Sequence, residues 1–248
     1  MTDREPSIRD AAKSLVFNVR PFDPSNGSSA CAEANDLRRT RLVFLSTALG
    51  AFLVTANVST MNVAFPDLEQ TFPDTDRGTL TWVLNAYTIS FAALLIPAGR
   101  LADRFGRRHM FIAGLSLFAL SSLLVGAAPT FPILVAARVA QGVGGALLTP
   151  ASLGLLLAGT PPSERMAVVA KWGSLTALGV ATGPVLGALI VNSHGWRWAF
   201  IVLPPFCLLS YLAGKNTLPE TPADANAPFP DIVGAILLAT SMALLAFS

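Results

Sequence analysis

The sequence predicts an all-α, polytopic membrane protein with six complete transmembrane helices and part of a seventh. Of its 248 residues, 52% are hydrophobic and only 13% are charged, and the mean hydropathy is +0.56. Soluble domains carry about 25% charged residues, so this chain has roughly half the usual share. Apolar runs of about 20 residues, the length that crosses a bilayer, recur between short polar breaks.

The first 41 residues differ in character from the rest of the chain. They mix charged residues with Pro, Gly and Ser, and their short apolar run at 15–17 cannot form the core of a secretory signal. This composition predicts a disordered cytoplasmic tail over residues 1–41. The two cysteines, Cys31 in this tail and Cys207 in an apolar run, do not make a disulfide framework.

Polar or proline-containing breaks separate the apolar runs and set the ends of the predicted spans. These breaks lie at 66–67, 99–109, 129–132, 160–165 and 193–195. The six spans between them are predicted at about 42–65, 79–98, 110–128, 132–158, 167–192 and 196–213.

The six spans form one predicted bundle over residues 42–213. Residues 214–231 are polar and rich in proline, which predicts a cytoplasmic linker. Residues 232–248 are apolar but close to the minimum length that crosses a bilayer. They predict a seventh span that is incomplete.

The distribution of Lys and Arg predicts the orientation, because cytoplasmic loops carry an excess of both residues. Arg38, Arg39 and Arg41 flank the first span, and the break at 99–109 is rich in arginine. On the opposite side, residues 67–78 carry four acidic residues and only one basic residue, Arg77. We therefore expect a multi-pass protein of the cell (plasma) membrane with a cytoplasmic N-terminus.

Residues 99–109 (GRLADRFGRRH) are called the arginine turn below. A topology signal is the simplest interpretation of its arginines. Such a signal requires neither an aspartate nor glycines at fixed positions, which favours a further role. The residues singled out in the turn are Gly99, Arg100, Asp103, Arg104, Gly106, Arg107 and Arg108.

Arg138 lies inside the predicted fourth span. A central arginine costs about 2.5–3.5 kcal/mol on insertion scales, so it should face a cavity or a partner, or else extend to the membrane interface. Gln141 follows on nearly the same helix face, and Gly142 would allow another helix to approach closely.

Polar residues in the first and second spans are candidates for the lining of a substrate cavity. They could equally be absorbed by hydrogen bonds between helices, which contribute about 0.6 kcal/mol each. The candidates are Asn57, Thr60, Asn85 and Tyr87.

In the fifth span, Gly179, Gly183 and Gly187 recur every four residues, with Pro184 beside them. This spacing predicts a close helix contact, and the proline predicts a bend. None of the predicted spans contains Asp or Glu, the residues that usually carry protons through a membrane pathway.

The sequence shows no nucleophile–base pair, metal-ligand cluster or phosphate-binding loop, so an enzyme, a metal site and a cofactor are not expected. The net charge is only +2 and the basic residues are scattered, so no nucleic-acid partner is expected either.

Five segments together resemble the major facilitator superfamily, and specifically its 14-span drug:proton antiporter branch. GRLADRFGRR (99–108) is similar to the signature between spans two and three. ARVAQGVGGA (137–146) is similar to the fourth-span motif, and GVATGPVLGA (179–188) to the fifth-span antiporter motif. Residues 82–103 resemble the second span of the branch, and 231–238 resemble the start of its seventh span.

The resemblance implies a carrier in which two six-span halves rock around a central path. Asp103 would contact a helix N-terminus of the C-terminal half, and the turn as a whole would act as a conformational latch. Arg138, with Gln141 and Gly142, would couple transport to proton movement by biasing the protonation of nearby acids. The fifth-span motif would supply a bend and a close seam. The expected partners are the lipid bilayer, a small-molecule substrate and a C-terminal half absent from this chain, with a proton gradient as the energy source.

Three positions depart from the pattern of the branch. Asn57 stands where an aspartate is usual, and an amide does not exchange protons near neutral pH. Leu203 replaces a common asparagine, and Ala188 replaces a common glycine.

Three hypotheses follow. The first is proton-coupled export of drug-like or amphipathic molecules, which the fifth-span motif favours. The second is an importer or facilitator of the same fold, which Asn57 favours. The third is a non-transporting half-transporter fragment, since the chain is expected to be truncated after the start of span seven.

Overall fold

The computed structural model describes residues 27–220, 223 and 229–247, and each regular element in this part of the chain is an α-helix. The predicted all-α fold is confirmed. The described helices are α1 (Gly27–Thr71), α2 (Arg77–Leu80), α3 (Trp82–Phe105), α4 (Arg107–Ala127), α5 (Phe131–Ala158), α6 (Arg165–His194), α7 (Trp198–Ile201), α8 (Leu203–Gly214) and α9 (Ile232–Phe247).

Five helical segments of the described chain are long and apolar enough to cross a membrane. They are Leu37–Thr71 within α1, Arg77–Phe105 (α2 with α3), and the helices α4, α5 and α6. Two shorter apolar stretches, Trp198–Gly214 and Ile232–Ala246, occupy the sixth and seventh predicted spans. The predicted polytopic architecture is therefore confirmed.

Helix α1 begins at Gly27, upstream of the predicted boundary at residue 42. Residues 28–49 contain neither Gly nor Pro, so nothing in the backbone interrupts the helix before the membrane. The expected disordered tail over residues 1–41 is therefore helical from residue 27 onward. Residues 1–26 lie outside the described part of the chain.

The sixth predicted span is divided at Val202 into the short helix α7 and the helix α8. Pro204 and Pro205 lie in the first turn of α8 and have no backbone N–H, so they cannot continue the hydrogen bonding of the preceding turn. The sixth predicted span, at about 196–213, therefore corresponds to the apolar stretch Trp198–Gly214, with a break at Val202.

The centre of the bundle is α5, which packs against both α3 and α4. A Cβ at Gly144 would lie 2.7 Å from the backbone nitrogen of Phe118 on α4. One at Gly142 would lie 2.6 Å from the carbonyl oxygen of Tyr87 on α3. Glycine therefore lets three helices meet backbone to backbone, as small residues do in membrane bundles.

Candidate transport site and gating turn

Arg138 lies on α5 and is only 1% exposed. Its Nε donates to the carbonyl oxygen of Val83 on α3 at 3.0 Å, and its Nη1 donates to Oε1 of Gln141 at 2.7 Å. The guanidinium also lies 4.4 Å from the centroid of the Tyr87 ring, within cation–π range. Arg138 therefore points into the bundle, and the alternative that it extends to the membrane interface is wrong.

Gln141 continues the hydrogen-bond network to a third helix. Its Nε2 donates to the Ser122 hydroxyl on α4 at 2.7 Å, and that hydroxyl donates to the carbonyl oxygen of Phe118 at 2.6 Å. A satisfied polar network of this kind fixes the positions of the helices that it joins. Ser122 was not among the predicted residues, although the pair Ser121–Ser122 in an apolar run is a usable signal.

Tyr87 and Asn57 are both buried beside this network, each 1% exposed. The Tyr87 hydroxyl donates to the carbonyl oxygen of Val54 on α1 at 3.3 Å. In the described part of the chain, neither Oδ1 nor Nδ2 of Asn57 has a hydrogen-bond partner. Buried polar atoms are nearly always satisfied, so the Asn57 amide is available to a water molecule or a ligand.

Thr60 lies one turn further along α1 and is 8% exposed. Its hydroxyl is 2.9 Å from the carbonyl oxygen of Ala56 and 3.2 Å from that of Gly183 on α6. Asn85, on α3, is half-buried. The structure thus brings Asn57 and Thr60 to one stretch of α1, with Tyr87 contacting the same helix.

Gly179, Gly183 and Gly187, called the glycine stripe below, lie against α1. A Cβ at Gly183 would lie 2.8 Å from the Ala56 carbonyl oxygen, and one at Gly187 would lie 3.0 Å from Cγ2 of Thr60. All three glycines are buried, whereas Pro184 is exposed and α6 continues through it. The fifth-span motif therefore forms the seam between α6 and α1.

The arginine turn is shorter than its sequence suggested. Helix α3 continues to Phe105 and α4 begins at Arg107, so Gly106 is the one residue between them. Gly106 has φ 92°, a conformation that favours glycine. Gly99 lies inside α3, where a Cβ would meet Pro150 at an ordinary 3.8 Å, so it takes no part in the junction at Gly106.

Asp103 and Arg107 face each other across this junction. The Asp103 carboxylate accepts from Nε of Arg107 at 3.1 Å and from its Nη2 at 2.9 Å. Nη1 of Arg107 donates to the carbonyl oxygen of Gly154 on α5 at 3.0 Å. Arg107 therefore connects the aspartate of the turn to the end of α5.

Two other arginines of the turn contact the segment that follows α8. Arg108 pairs with the Glu220 carboxylate and donates to the carbonyl oxygen of Lys215 at 2.7 Å. The Arg104 guanidinium lies 4.9 Å from the centroid of the Phe229 ring. Arg100 is exposed on α3. The predicted linker thus contacts the turn, which no sequence pattern indicated.

The turn and the Arg138 network occupy different levels of the bundle. Gly154 and Arg138 are both on α5, sixteen positions apart, which corresponds to about 24 Å along a helix. The structure therefore does not join all the predicted site residues. It forms one buried network at Arg138 and a separate charged contact at the turn. No cluster of three or more His, Cys, Asp or Glu that could hold a metal is found among the described residues.

Membrane-length helices arranged around a buried polar network define a multi-pass helical membrane protein. A family model described as Major Facilitator Superfamily matches residues 47–247. The chain therefore belongs to the major facilitator superfamily.

The matched relatives include named resistance and efflux proteins. The chain is 38% identical over 179 residues to Multidrug resistance protein Stp of Mycobacterium tuberculosis, covering 71% of this chain and 33% of Stp. It is 34% identical over 211 residues to Drug efflux pump JefA of the same species, covering 85% of this chain and 41% of JefA. Tetracenomycin C resistance and export protein of Streptomyces glaucescens is 32% identical, with 80% of this chain and 37% of that protein covered. The chain thus spans less than half the length of each of these relatives.

Two solved structures support the fold. A crystal structure of a D-xylose-proton symporter aligns with a TM-score of 0.60 at 20% identity, covering 73% of this chain and 48% of that one. A bacterial homologue of the human lysosomal transporter Spinster, in an inward-facing and unoccupied conformation, aligns with a TM-score of 0.60 at 20% identity, covering 75% and 44%. At this identity, the likeness concerns the fold alone.

Proposed function

We propose that this protein is a secondary transporter that exports drug-like or amphipathic small molecules across the plasma membrane, with its N-terminus in the cytoplasm, and that it has no enzymatic activity. The resistance and efflux relatives support export. The arginines of the turn support the orientation, because cytoplasmic loops are enriched in them.

The observation that carries the proposal is the seam between α1 and α6. The glycine stripe packs on α1, and Thr60 reaches the Gly183 carbonyl across the seam. The Asn57 amide, which has no hydrogen-bond partner among the described residues, lies one turn away. The small residues of the stripe let the two helices approach closely, as they do in membrane bundles. A polar group beside such a seam can contact substrate in one state of the carrier and release it in another.

We propose a proton gradient as the energy source and no bound cofactor. The predicted spans contain no Asp or Glu, so the titratable group lies outside them. The partner would be a second six-span half, in keeping with the longer relatives. Asp103 would then contact a helix N-terminus of that half, where a carboxylate gains about 0.3–1 kcal/mol.

An importer or facilitator of the same fold is the second candidate, and Asn57 favours it because an amide cannot carry a proton near neutral pH. A non-transporting half is the third. Both predict that drug accumulation in cells is not lowered when the protein is expressed.

The test is drug accumulation in cells that lack their own exporters. The chain is expressed alone and together with the second six-span half of a matched relative, and uptake of puromycin, lincomycin and a cationic dye is followed with and without an uncoupler. Export requires lower accumulation that the uncoupler reverses. Increased accumulation would support the importer, and unchanged accumulation in both arms, with membrane insertion confirmed, would support the non-transporting half.

A further inference from the structure

A cavity of about 390 Å³ lies at the end of the bundle opposite the arginine turn. It forms where α1 ends and where α6 passes into α7. We call it the tryptophan cavity, and the lining residues that matter here are Asp67, Gln70, His194, Trp196, Arg197 and Trp198. Its volume falls within the range of about 300–1,000 Å³ that is typical of small-molecule sites.

Asp67 and Arg197 line this cavity with opposite charges, yet they do not pair with each other. Among the described residues, the ion pairs within 4.0 Å join other residues. The Asp67 carboxylate likewise accepts no hydrogen bond from any described residue. Each of these two side chains can therefore face a ligand group of opposite charge.

Two contacts with the protein fix the position of the Arg197 side chain. Its guanidinium lies 4.6 Å from the centroid of the Trp196 ring, and its Nη2 donates to the carbonyl oxygen of Ala128 at 3.3 Å. Trp196 is itself fixed, because it is 3% exposed and its Nε1 donates to the Thr71 hydroxyl at 3.0 Å. Arg197 is therefore positioned by a buried ring rather than by the carboxylate.

The other lining residues can be assigned to one of two ligand groups, a cation or an anion. The Trp198 ring is 52% exposed and offers an aromatic face, which attracts organic cations. The His194 ring lies 6.1 Å from the Trp198 ring, with its Nδ1 near the Ser193 hydroxyl at 2.8 Å. The half-buried Asp67 carboxylate and Trp198 suit an ammonium group, whereas Arg197 suits an anionic group.

We propose that the tryptophan cavity binds a zwitterionic ligand, with its ammonium group at Asp67 and Trp198 and its anionic group at Arg197. The cavity lies at the ends of apolar helices, the level at which tryptophan and the polar headgroups of lipids meet. Such a zwitterion can be the headgroup of an aminophospholipid or a soluble molecule of the same chemistry. The site stands independently of the proposed transport activity.

The test uses the purified protein in a non-ionic detergent. Binding of glycerophosphoethanolamine, which carries both charges, is compared with binding of ethanolamine and of glycerol phosphate by calorimetry. Native mass spectrometry then compares retention of phosphatidylethanolamine and phosphatidylglycerol. Binding in the soluble arm alone identifies a soluble zwitterion as the ligand, and retention of phosphatidylethanolamine identifies the lipid headgroup.

The variants are Asp67→Asn and Arg197→Gln, matched with Asp74→Asn and Arg77→Gln, which lie at the same end but outside the cavity. Each cavity variant is expected to weaken binding roughly tenfold or more, since each removes one charge-assisted contact. Trp198→Leu, at an exposed position, tests the cation contact if either charge variant fails to fold. The proposal is overturned if neither arm shows binding, if control and cavity variants bind alike, or if ethanolamine alone binds as tightly as the zwitterion.

Discussion

The Thr60 hydroxyl lies 3.2 Å from the carbonyl oxygen of Gly183, across the contact between α1 and α6. Thr60 is close enough because Gly183 has no side chain, and a Cβ there would lie 2.8 Å from both the Ala56 oxygen and the Ser59 Cβ. A polar residue of the candidate cavity and a glycine of the fifth-span motif therefore belong to one seam.

Gly183→Ala should destabilise the protein by about 1–3 kcal/mol, because the added methyl group forces α6 away from α1. Gly173→Ala is the matched control, since a Cβ at Gly173 meets nothing within 4 Å on the same helix. Thermal unfolding in detergent measures both variants. Equal midpoints for the two would show that the stripe does not require close contact.

Arg138→Ala should abolish transport, and Arg138→Lys should not restore it. A lysine ammonium cannot reproduce the planar guanidinium that reaches Val83 and Gln141 while lying over Tyr87. The buried acceptors left behind cost about 1–3 kcal/mol each. Drug efflux and thermal unfolding are measured together, with the exposed Arg165→Ala as control. Normal efflux by the lysine variant would mean that positive charge alone is sufficient.

Asp103→Asn should abolish transport by the assembled carrier while membrane insertion stays intact. The carboxylate is largely exposed beyond its pair with Arg107, so it can contact a further partner. Efflux and surface expression are compared with those of Asp74→Asn, an exposed acid at the opposite end of the bundle. Wild-type efflux in the Asp103 variant would eliminate the latch role.

Asn57→Ala should leave stability almost unchanged but reduce transport of substrates that hydrogen-bond. Because neither amide atom has a protein partner among the described residues, the alanine loses no internal hydrogen bond. The thermal midpoint and efflux of several drugs distinguish this outcome from a structural role. A large loss of stability with no change in efflux would show that the amide is structural.

The Asp76 carboxylate should titrate below its ordinary pKa of 3.8. It caps α2 by accepting from the Thr79 hydroxyl at 2.6 Å and from the Thr79 N–H at 2.8 Å, and these hydrogen bonds lower the pKa. Because the folded pKa is lowered, the stabilisation is complete above the unfolded pKa and is lost as the pH falls through the folded one. An NMR titration measures this pKa. Thr79→Ala should raise it by removing the hydroxyl donor, and an unchanged value would show that this hydroxyl does not lower the pKa.

The predicted helix boundaries differ from the observed ones at particular residues, for local reasons. Nothing between residues 28 and 49 breaks a helix, so α1 begins before the membrane. Leu101 to Phe105 contain no breaker either, so α3 continues through most of the arginine turn until Gly106. In both cases charge and composition indicated a loop, while the backbone preference of the residues was helical.

The sequence by itself determined the all-α polytopic fold, its likeness to the major facilitator superfamily and the candidate residues Arg138, Asp103 and the glycine stripe. These follow from hydropathy, residue spacing and the order of the motifs, all of which are properties of the linear sequence. Only the tertiary structure decided what each residue contacts: Gln141 and Ser122 for Arg138, α1 for the glycine stripe, and nothing among the described residues for the Asn57 amide. The physical reason is that such contacts join residues far apart in the sequence, and their identity depends on how the helices pack against one another.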